Sequence, residues 1–359
     1  MTEAGANAVR AGILPTPAVA LLAEATGAVI SASHNPPEYN GVKFFADGGR
    51  KLTDDEEEAI EELLDAPPAN GGQVVEARDA AERYVEVVCE RFGSPLNSLK
   101  VALDCANGAV YEVAPEAFRR LDSHVVTVGN APDGTNINVG CGATDLSLLQ
   151  ETVRNGDFDL GLAFDGDGDR MLAVDAHGNA LDGDQILAIL ALHLGVDLVA
   201  VTEMTNLGFH RLMEERGIRV ITTSVGDRYV LEALRREGGV LGGEESGHIL
   251  YLEGHTSGDG LAAALLLCRA VVGSGSALAD LAAVMPRYPQ AKENVPVRAK
   301  EISPELRERI RELAGDGRVV VRPSGTEPVV RVLAEAESQK KASELCARIA
   351  ALVSRELGS

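Results

Sequence analysis

Six consecutive residues, Asp165-Gly166-Asp167-Gly168-Asp169-Arg170, carry carboxylates at alternate positions. Carboxylates at i, i+2 and i+4 converge on one hard cation when the backbone bends around it, and the intervening glycines permit the bend. A calcium loop also begins D-x-D-x-D, but it needs Gly at its sixth position and Glu at its twelfth. Here those positions hold Arg170 and Ala176. The run follows an apolar segment, Leu160–Phe164, so the acids cluster at a strand's end, where α/β proteins bind ligands. Set against a plain acidic turn, this pattern points to a divalent metal site, most simply for Mg²⁺, with Arg170 alongside to hold phosphate oxygens.

Three further loops carry reactive groups. Ser31-Ala32-Ser33-His34-Asn35-Pro36 places serines on a tight loop after a short strand, with His34 adjacent and Lys43 a few residues on. Such groups can move protons or neutralise phosphate charge. No G-x-S-x-G occurs, which argues against a hydrolase triad. Arg322-Pro323-Ser324-Gly325-Thr326-Glu327-Pro328, followed by Arg331, lies between two β-branched runs. Its backbone N–H groups and the Ser324 and Thr326 hydroxyls suit a phosphate, with Arg322 and Arg331 supplying charge, although a plain hairpin turn is the alternative. It is not a Walker loop, because G-x-x-x-x-G-K-[ST] is absent. In Gly242-Gly243-Glu244-Glu245-Ser246-Gly247-His248 the glycines allow close approach to a ligand. Glu244 and Ser246 suit sugar hydroxyls, and His248 suits acid–base work or a structural role. Val225-Gly226-Asp227-Arg228 is a weaker polar break before a helical run.

The elements that must position these loops alternate between apolar β-branched runs and amphipathic helical runs, which predicts an α/β fold. Thr53 and Glu56 form a capping box at the head of a helix running to about Leu64. Ile186–Val201, the longest apolar stretch, is broken by His193, Gly195 and Asp197 and reads as a buried helix followed by a strand. Linkers near Gly93–Ser98 and at Pro286, Pro289 and Pro296, together with a new unit opening near Asp197, divide the 359 residues into four units: 1–94, 98–194, 195–287 and 292–359.

Composition narrows the function. Apolar residues make up 45% and charged residues 25%, enough for a real core. With 33 Lys+Arg against 55 Asp+Glu the net charge is −22, which repels phosphate backbones and argues against nucleic-acid binding. An anionic substrate needs a local cationic pocket against that field. Many acids and few lysines suggest adaptation to high salt, the alternative being an ordinary acidic cytosolic protein. The five cysteines form no C-x-x-C pair, which fits a reducing cytoplasm and excludes a Cys-based zinc site. No leader and no membrane span is expected.

The four loops, in this order, resemble those of the α-D-phosphohexomutase superfamily over essentially the whole chain. That resemblance implies a four-domain architecture around one cleft, with three similar mixed α/β domains and a smaller C-terminal α+β domain. It matches Ser33 to a phosphoserine and Asp165, Asp167 and Asp169 to Mg²⁺ ligands, with Ser33 completing the set. His34, Lys43, Arg170 and His248 become the candidates around the reacting phosphate. Glu244 and Ser246 fall in a sugar-binding loop, with Asp227 and Arg228 near it, and Arg322, Ser324, Gly325, Thr326 and Arg331 in a phosphate-binding loop. The implied activity converts glucosamine 6-phosphate to glucosamine 1-phosphate through a 1,6-bisphosphate, in a cytoplasmic monomer or homodimer. Hexose 1,6-bisphosphate serves as activator, and glucose or mannose phosphates are alternative substrates. Glu245 stands where the amino-sugar branch usually carries Gln, which bears on that choice. The family opens with a strand and a Gly-Thr-x-Gly-Ile-Arg-Gly segment absent here. Either the given start lies inside the first domain, or the form is shortened. In the second case the first domain lacks a strand, has an unpaired edge and lacks an arginine near the transferring phosphate, and a catalytically impaired sugar-phosphate-binding protein is the alternative function.

Overall fold

The structure, a computed structural model, describes residues 5–63, 71–97, 99–325 and 327–358. Its elements alternate as the apolar periodicity requires. The Ile186–Val201 stretch resolves into the helix Gly183–Leu194 and the strand Leu198–Thr202, separated at Gly195, which is left-handed at φ 65°. Asp182 caps that helix by accepting from the Gln185 N–H. The predicted capping box of Thr53 and Glu56 heads the helix Asp54–Glu61; Leu64 lies outside the described residues.

Two central sheets carry most of the site. The first runs Ala180–Leu181, Met171–Asp175, Leu160–Phe164, Lys100–Asp104, His124–Val128 in spatial order. Its Lys100–Asp104 strand is parallel to both neighbours, and Met171–Asp175 returns antiparallel to Leu160–Phe164. That reversal makes the acidic loop the turn of a β-hairpin at the strand's end. The second sheet runs Arg219–Thr223, Leu198–Thr202, Leu241–Gly243, Ile249–Tyr251, again with one antiparallel edge. A hairpin turn there carries Glu244 to His248. Towards the C-terminus a three-stranded antiparallel sheet, Gln290–Pro296, Val329–Glu335, Arg318–Pro323, packs against the helix Gln339–Leu357.

Near the N-terminus the described strands form two small sheets. Ala8–Arg10 pairs in parallel with Val74–Glu76, and Gly27–Ser31, Gly41–Ala46 and Arg50–Lys51 form an antiparallel meander. Val9, Ile13, Ile30, Val42, Val74 and Val75 on these strands and their flanks are exposed.

One apolar core runs continuously from Leu14 to Met285, built around the helices Ala80–Phe92, Gly183–Leu194 and Gly260–Ser274. The last unit has a separate core centred on Val330, Val332, Ile349 and Val353. It joins the rest through polar contacts. Buried Glu335 accepts from Asn206 Nδ2 (3.1 Å), the Leu207 N–H (3.0 Å), Gln290 Nε2 (2.8 Å) and Arg318 Nη1 (2.9 Å). Among the described residues no helix is long and apolar enough to cross a membrane.

Candidate active site

The acidic loop is drawn tight by donors from three parts of the chain. The Thr16 N–H, heading the helix Thr16–Leu22, donates to the Asp167 carbonyl at 2.8 Å. The Gly260 N–H, heading the helix Gly260–Ser274, donates to the Gly168 carbonyl at 3.1 Å, and the Ala109 N–H donates to Gly166 at 2.8 Å. The first N–H of each of two helices is therefore spent on a carbonyl of the anionic loop, and the positive helix end suits that charge. Gly166 is required because a Cβ there would lie 2.4 Å from the Ser33 carbonyl. Gly168 is required by its φ of +73°.

Asp165, Asp167 and Asp169 are all buried, and one oxygen from each falls within 4.8 Å of the others. Ser33 sits over them with a left-handed φ of 53°. Its hydroxyl donates to Asp167 Oδ1 at 2.7 Å, and Asp165 Oδ2 is 3.3 Å away. The strained turn is held by Ser31 Oγ, which accepts the Ser33 N–H at 3.0 Å, and by Asn138 Nδ2, which donates to the Ser33 carbonyl at 2.7 Å. His34 Nδ1 lies 3.4 Å from the Ser33 hydroxyl.

Cations offset only part of this charge. Lys43 Nζ donates to Asp167 Oδ2 (2.7 Å) and Asp169 Oδ2 (3.2 Å). Burial would lower its pKa, but Asp169 and Asp167 outweigh that and hold the ammonium charged. Burial, then the neighbouring Asp169 and Asp167, push the Asp165 carboxyl well above the usual range. Asp169 moves the other way: burial opposes ionisation, but His248, Lys43 and Arg170 together hold it low. Arg170 Nε is 3.9 Å from Asp169 Oδ1, and its own N–H donates to Asp165 Oδ1 at 3.1 Å. Three buried hard-oxygen donors, unevenly neutralised and joined by the Ser33 hydroxyl, fit a divalent cation.

His248 enters from the second sheet. Its Nδ1 is 3.5 Å from Asp169 Oδ1 and its Nε2 is 3.1 Å from Asp227 Oδ2. Asp227 opens the helix Asp227–Glu237, and the Gly226 N–H before it donates to Glu244 Oε1 at 3.1 Å. Ser33, His34, Lys43, the three aspartates, Arg170, Asp227, Glu244 and His248 thus form one connected cluster. Arg228 reaches Asp54 and Glu232 instead. Ser246 is exposed on the hairpin turn. Glu245 turns from the cluster: its Oε1 lies 3.7 Å from Arg287 Nη2, and its carbonyl accepts the Gly183 N–H at 2.9 Å.

The loop of the last unit is a second, separate site; no hydrogen bond or ion pair among the described residues joins it to the first. Arg322 and Arg331 stand directly opposite in the antiparallel ladder. Like charges so placed repel; Glu327 Oε2, 3.2 Å from Arg331 Nη2, offsets part of that cost, and a bound anion would offset more. Ser324 is buried, Arg331 Nη2 is 3.4 Å from its hydroxyl, and Lys300 Nζ donates to its carbonyl at 2.7 Å. Gly325 is exposed, and Thr326 lies outside the described residues.

Comparison with known proteins accounts for this layout. The chain matches the family descriptions "Phosphoglucomutase/phosphomannomutase, alpha/beta/alpha domain I" over residues 1–70, domain II over 82–178, domain III over 182–288 and "C-terminal domain" over 276–352. It is 48% identical to a phosphoglucosamine mutase of Pelotomaculum thermopropionicum, covering 98% of this chain and 84% of that protein. The chain belongs to the α-D-phosphohexomutase family. The fold agrees. A phosphoglucomutase/phosphomannomutase family protein of Burkholderia thailandensis superposes with a TM-score of 0.82 at 23% identity, over 99% of this chain and 84% of that one. An N-acetylphosphoglucosamine mutase of Aspergillus fumigatus, solved with GlcNAc-6P and magnesium, gives 0.73 at 21% identity, over 96% and 91%. As a phosphohexomutase, the chain carries its reactive cluster where domains I, II and III meet and its arginine pair on the C-terminal domain.

Sequence reading missed four residues of these sites. Thr16 donates its hydroxyl to Asp167 Oδ2 at 2.7 Å, Asn138 holds the Ser33 turn, Lys300 holds the Ser324 loop, and Lys51 pairs with Asp227. Only Lys51 and Lys300 left a signal, as two of seven lysines in a chain otherwise served by arginine.

Proposed function

We propose that this phosphohexomutase interconverts glucosamine 6-phosphate and glucosamine 1-phosphate, carrying the phosphoryl group on Ser33. The observation that supports this most is the Ser33 hydroxyl, 2.7 Å from Asp167 Oδ1 and within reach of Lys43 and His248 through the aspartate cluster. Asp165, Asp167, Asp169 and Ser33 would hold one Mg²⁺. When bound, it supplies charge neutralisation at the transferring oxygens.

The chain's own groups do the rest. A sugar hydroxyl attacks the phosphorus of phospho-Ser33; the new P–O bond forms as the bond to Ser33 Oγ breaks. His248 takes the hydroxyl proton, and Lys43, kept charged by Asp167 and Asp169, neutralises the oxygen left on Ser33. The bisphosphate then turns over, and its other phosphoryl group returns to Ser33 by the reverse transfer. Glu244 and Ser246 orient the sugar, with Asp227 beside them. Arg322, Ser324, Gly325, Thr326 and Arg331 grip the phosphate that is not reacting; the repulsion across the Arg322–Arg331 pair supports that assignment.

The test is a mutase assay with Mg²⁺, high salt and a trace of hexose 1,6-bisphosphate, in which glucosamine, glucose and mannose phosphates compete. Preferred turnover of glucosamine phosphates is expected, lost in Ser33→Ala with the fold intact. A preference for glucose or mannose phosphates would move the assignment to the sister activity. Phosphate release without isomerised product would replace it with hydrolysis.

A further inference from the structure

Lys51 lies on the short strand Arg50–Lys51, opposite Phe45 in the meander of domain I. Its ammonium pairs with Asp227 Oδ2 in domain III. That same oxygen is 3.1 Å from His248 Nε2, and His248 Nδ1 is 3.5 Å from Asp169 Oδ1. A series of close charge contacts, Lys51 to Asp227 to His248 to Asp169, therefore runs from domain I into the cluster, although neither His248 contact has hydrogen-bond geometry. The Lys51 side chain is 29% exposed and Asp227 24%, while His248 is 5% exposed, so the ring has little freedom beyond these two partners.

A second ion pair joins the same two segments with the charges reversed. Arg228, next to Asp227, pairs with Asp54, three residues after Lys51. Tethering domain I to domain III therefore does not require Lys51. The difference between the two pairs lies in what the anion touches. Asp54 is exposed and, among the described residues, has Arg228 as its one ion-pair partner, whereas the Asp227 oxygen that Lys51 holds is the one facing His248. Unpaired, that carboxylate on a helix N-terminus would be free to turn toward the backbone N–H groups of its own first turn, as acids there commonly do. Among the described residues the Asp227 carboxylate takes its hydrogen bond from Lys51 and none from the backbone of that turn.

We propose that Lys51 is a positioning residue: by fixing Asp227 it sets the orientation of the His248 ring that presents Nδ1 to the reactive cluster. This rests on the reading of His248 as a proton-handling group given above. Nothing in the resemblance or in the four sequence loops assigns Lys51 a role.

The test compares the full chain with Lys51→Met, Lys51→Arg and Asp54→Asn. Partners that orient a reacting group typically contribute roughly 10–100-fold in activity. Lys51→Met should lower kcat within that range with KM changed little, Lys51→Arg should recover part of the loss, and Asp54→Asn should leave kcat unchanged. The imidazole resonances of His248, read by NMR on ¹⁵N-histidine-labelled protein, should move in Lys51→Met and stay in place in Asp54→Asn. Retained kcat in Lys51→Met, equal losses in Lys51→Met and Asp54→Asn, or unmoved His248 resonances would overturn the proposal. If the unmutated chain turns over no sugar phosphate, the function proposed above fails, and the resonances alone still decide the role of Lys51.

Discussion

Two buried carboxylate centres in this molecule solve opposite problems. Glu335 at the junction of domains III and IV has four donors on its two oxygens, one of them the half-shielded Arg318 guanidinium. Every lone pair aimed inward is met, and nothing further is needed. The Asp165–Asp167–Asp169 loop crowds three buried acids around one lysine and one distant arginine. Asp165 responds by resisting ionisation. A satisfied carboxylate joins parts of a fold. An under-satisfied cluster, kept in place by backbone donors, stores an affinity for the cation that completes it.

Asp165→Asn would break the comparison most sharply. It relieves repulsion in the metal-free protein while spoiling the cation site. Loss of several kcal/mol of charge stabilisation is on the order of a thousandfold in turnover. The thermal midpoint without metal should not fall, and Mg²⁺ should stabilise the unmutated chain but not this variant. A midpoint drop without metal would place Asp165 among the structural acids. Glu335→Gln should do the reverse. It leaves the half-shielded Arg318 without its fully buried anion, at a cost of about 3 kcal/mol in denaturant unfolding, with turnover per folded molecule little changed. A neutral result would mean that the junction is held by something other than this centre.

Asp184 sharpens the contrast at smaller scale. One of its oxygens accepts the Asn206 N–H at 2.8 Å, and the other has no partner among the described residues. Burial, with Asp182 and Glu245 nearby and only partly offset by that N–H, pushes its pKa up to about 7. The folded state then binds this proton more tightly than the unfolded chain does. Its contribution to stability is full below about pH 4 and is lost as pH rises towards 7. Asp184→Asn should flatten that slope, so the midpoint difference between variant and unmutated chain should grow in the variant's favour from pH 5 to pH 8. A constant difference across that range would show that Asp184 is ionised throughout.

Much of the architecture was legible in the sequence because it is local. The capping box at Thr53 and Glu56, the break at Gly195 and the strand Leu160–Phe164 before the acids each depend on a few neighbouring residues. The acidic loop was legible for the same reason, since its three carboxylates are spaced within five residues. Thr16 and Asn138 were not, because each reaches the site from over a hundred residues away through a single hydrogen bond. Glu245 stands where the amino-sugar branch usually carries Gln; adjacent residues on a hairpin turn diverge, and its side chain lies beside Arg287, a contact no local pattern signals.

The sequence by itself determined the candidate groups, their order along the chain and the family they belong to, because loop chemistry is written in short runs of residue types. Only the tertiary structure decided which groups share a charge: that Lys43 serves Asp167 and Asp169, that Lys51 serves Asp227, and that Arg322 faces Arg331. Ion pairs between domains depend on distances of a few ångströms set by packing over the whole core, and no local pattern encodes them.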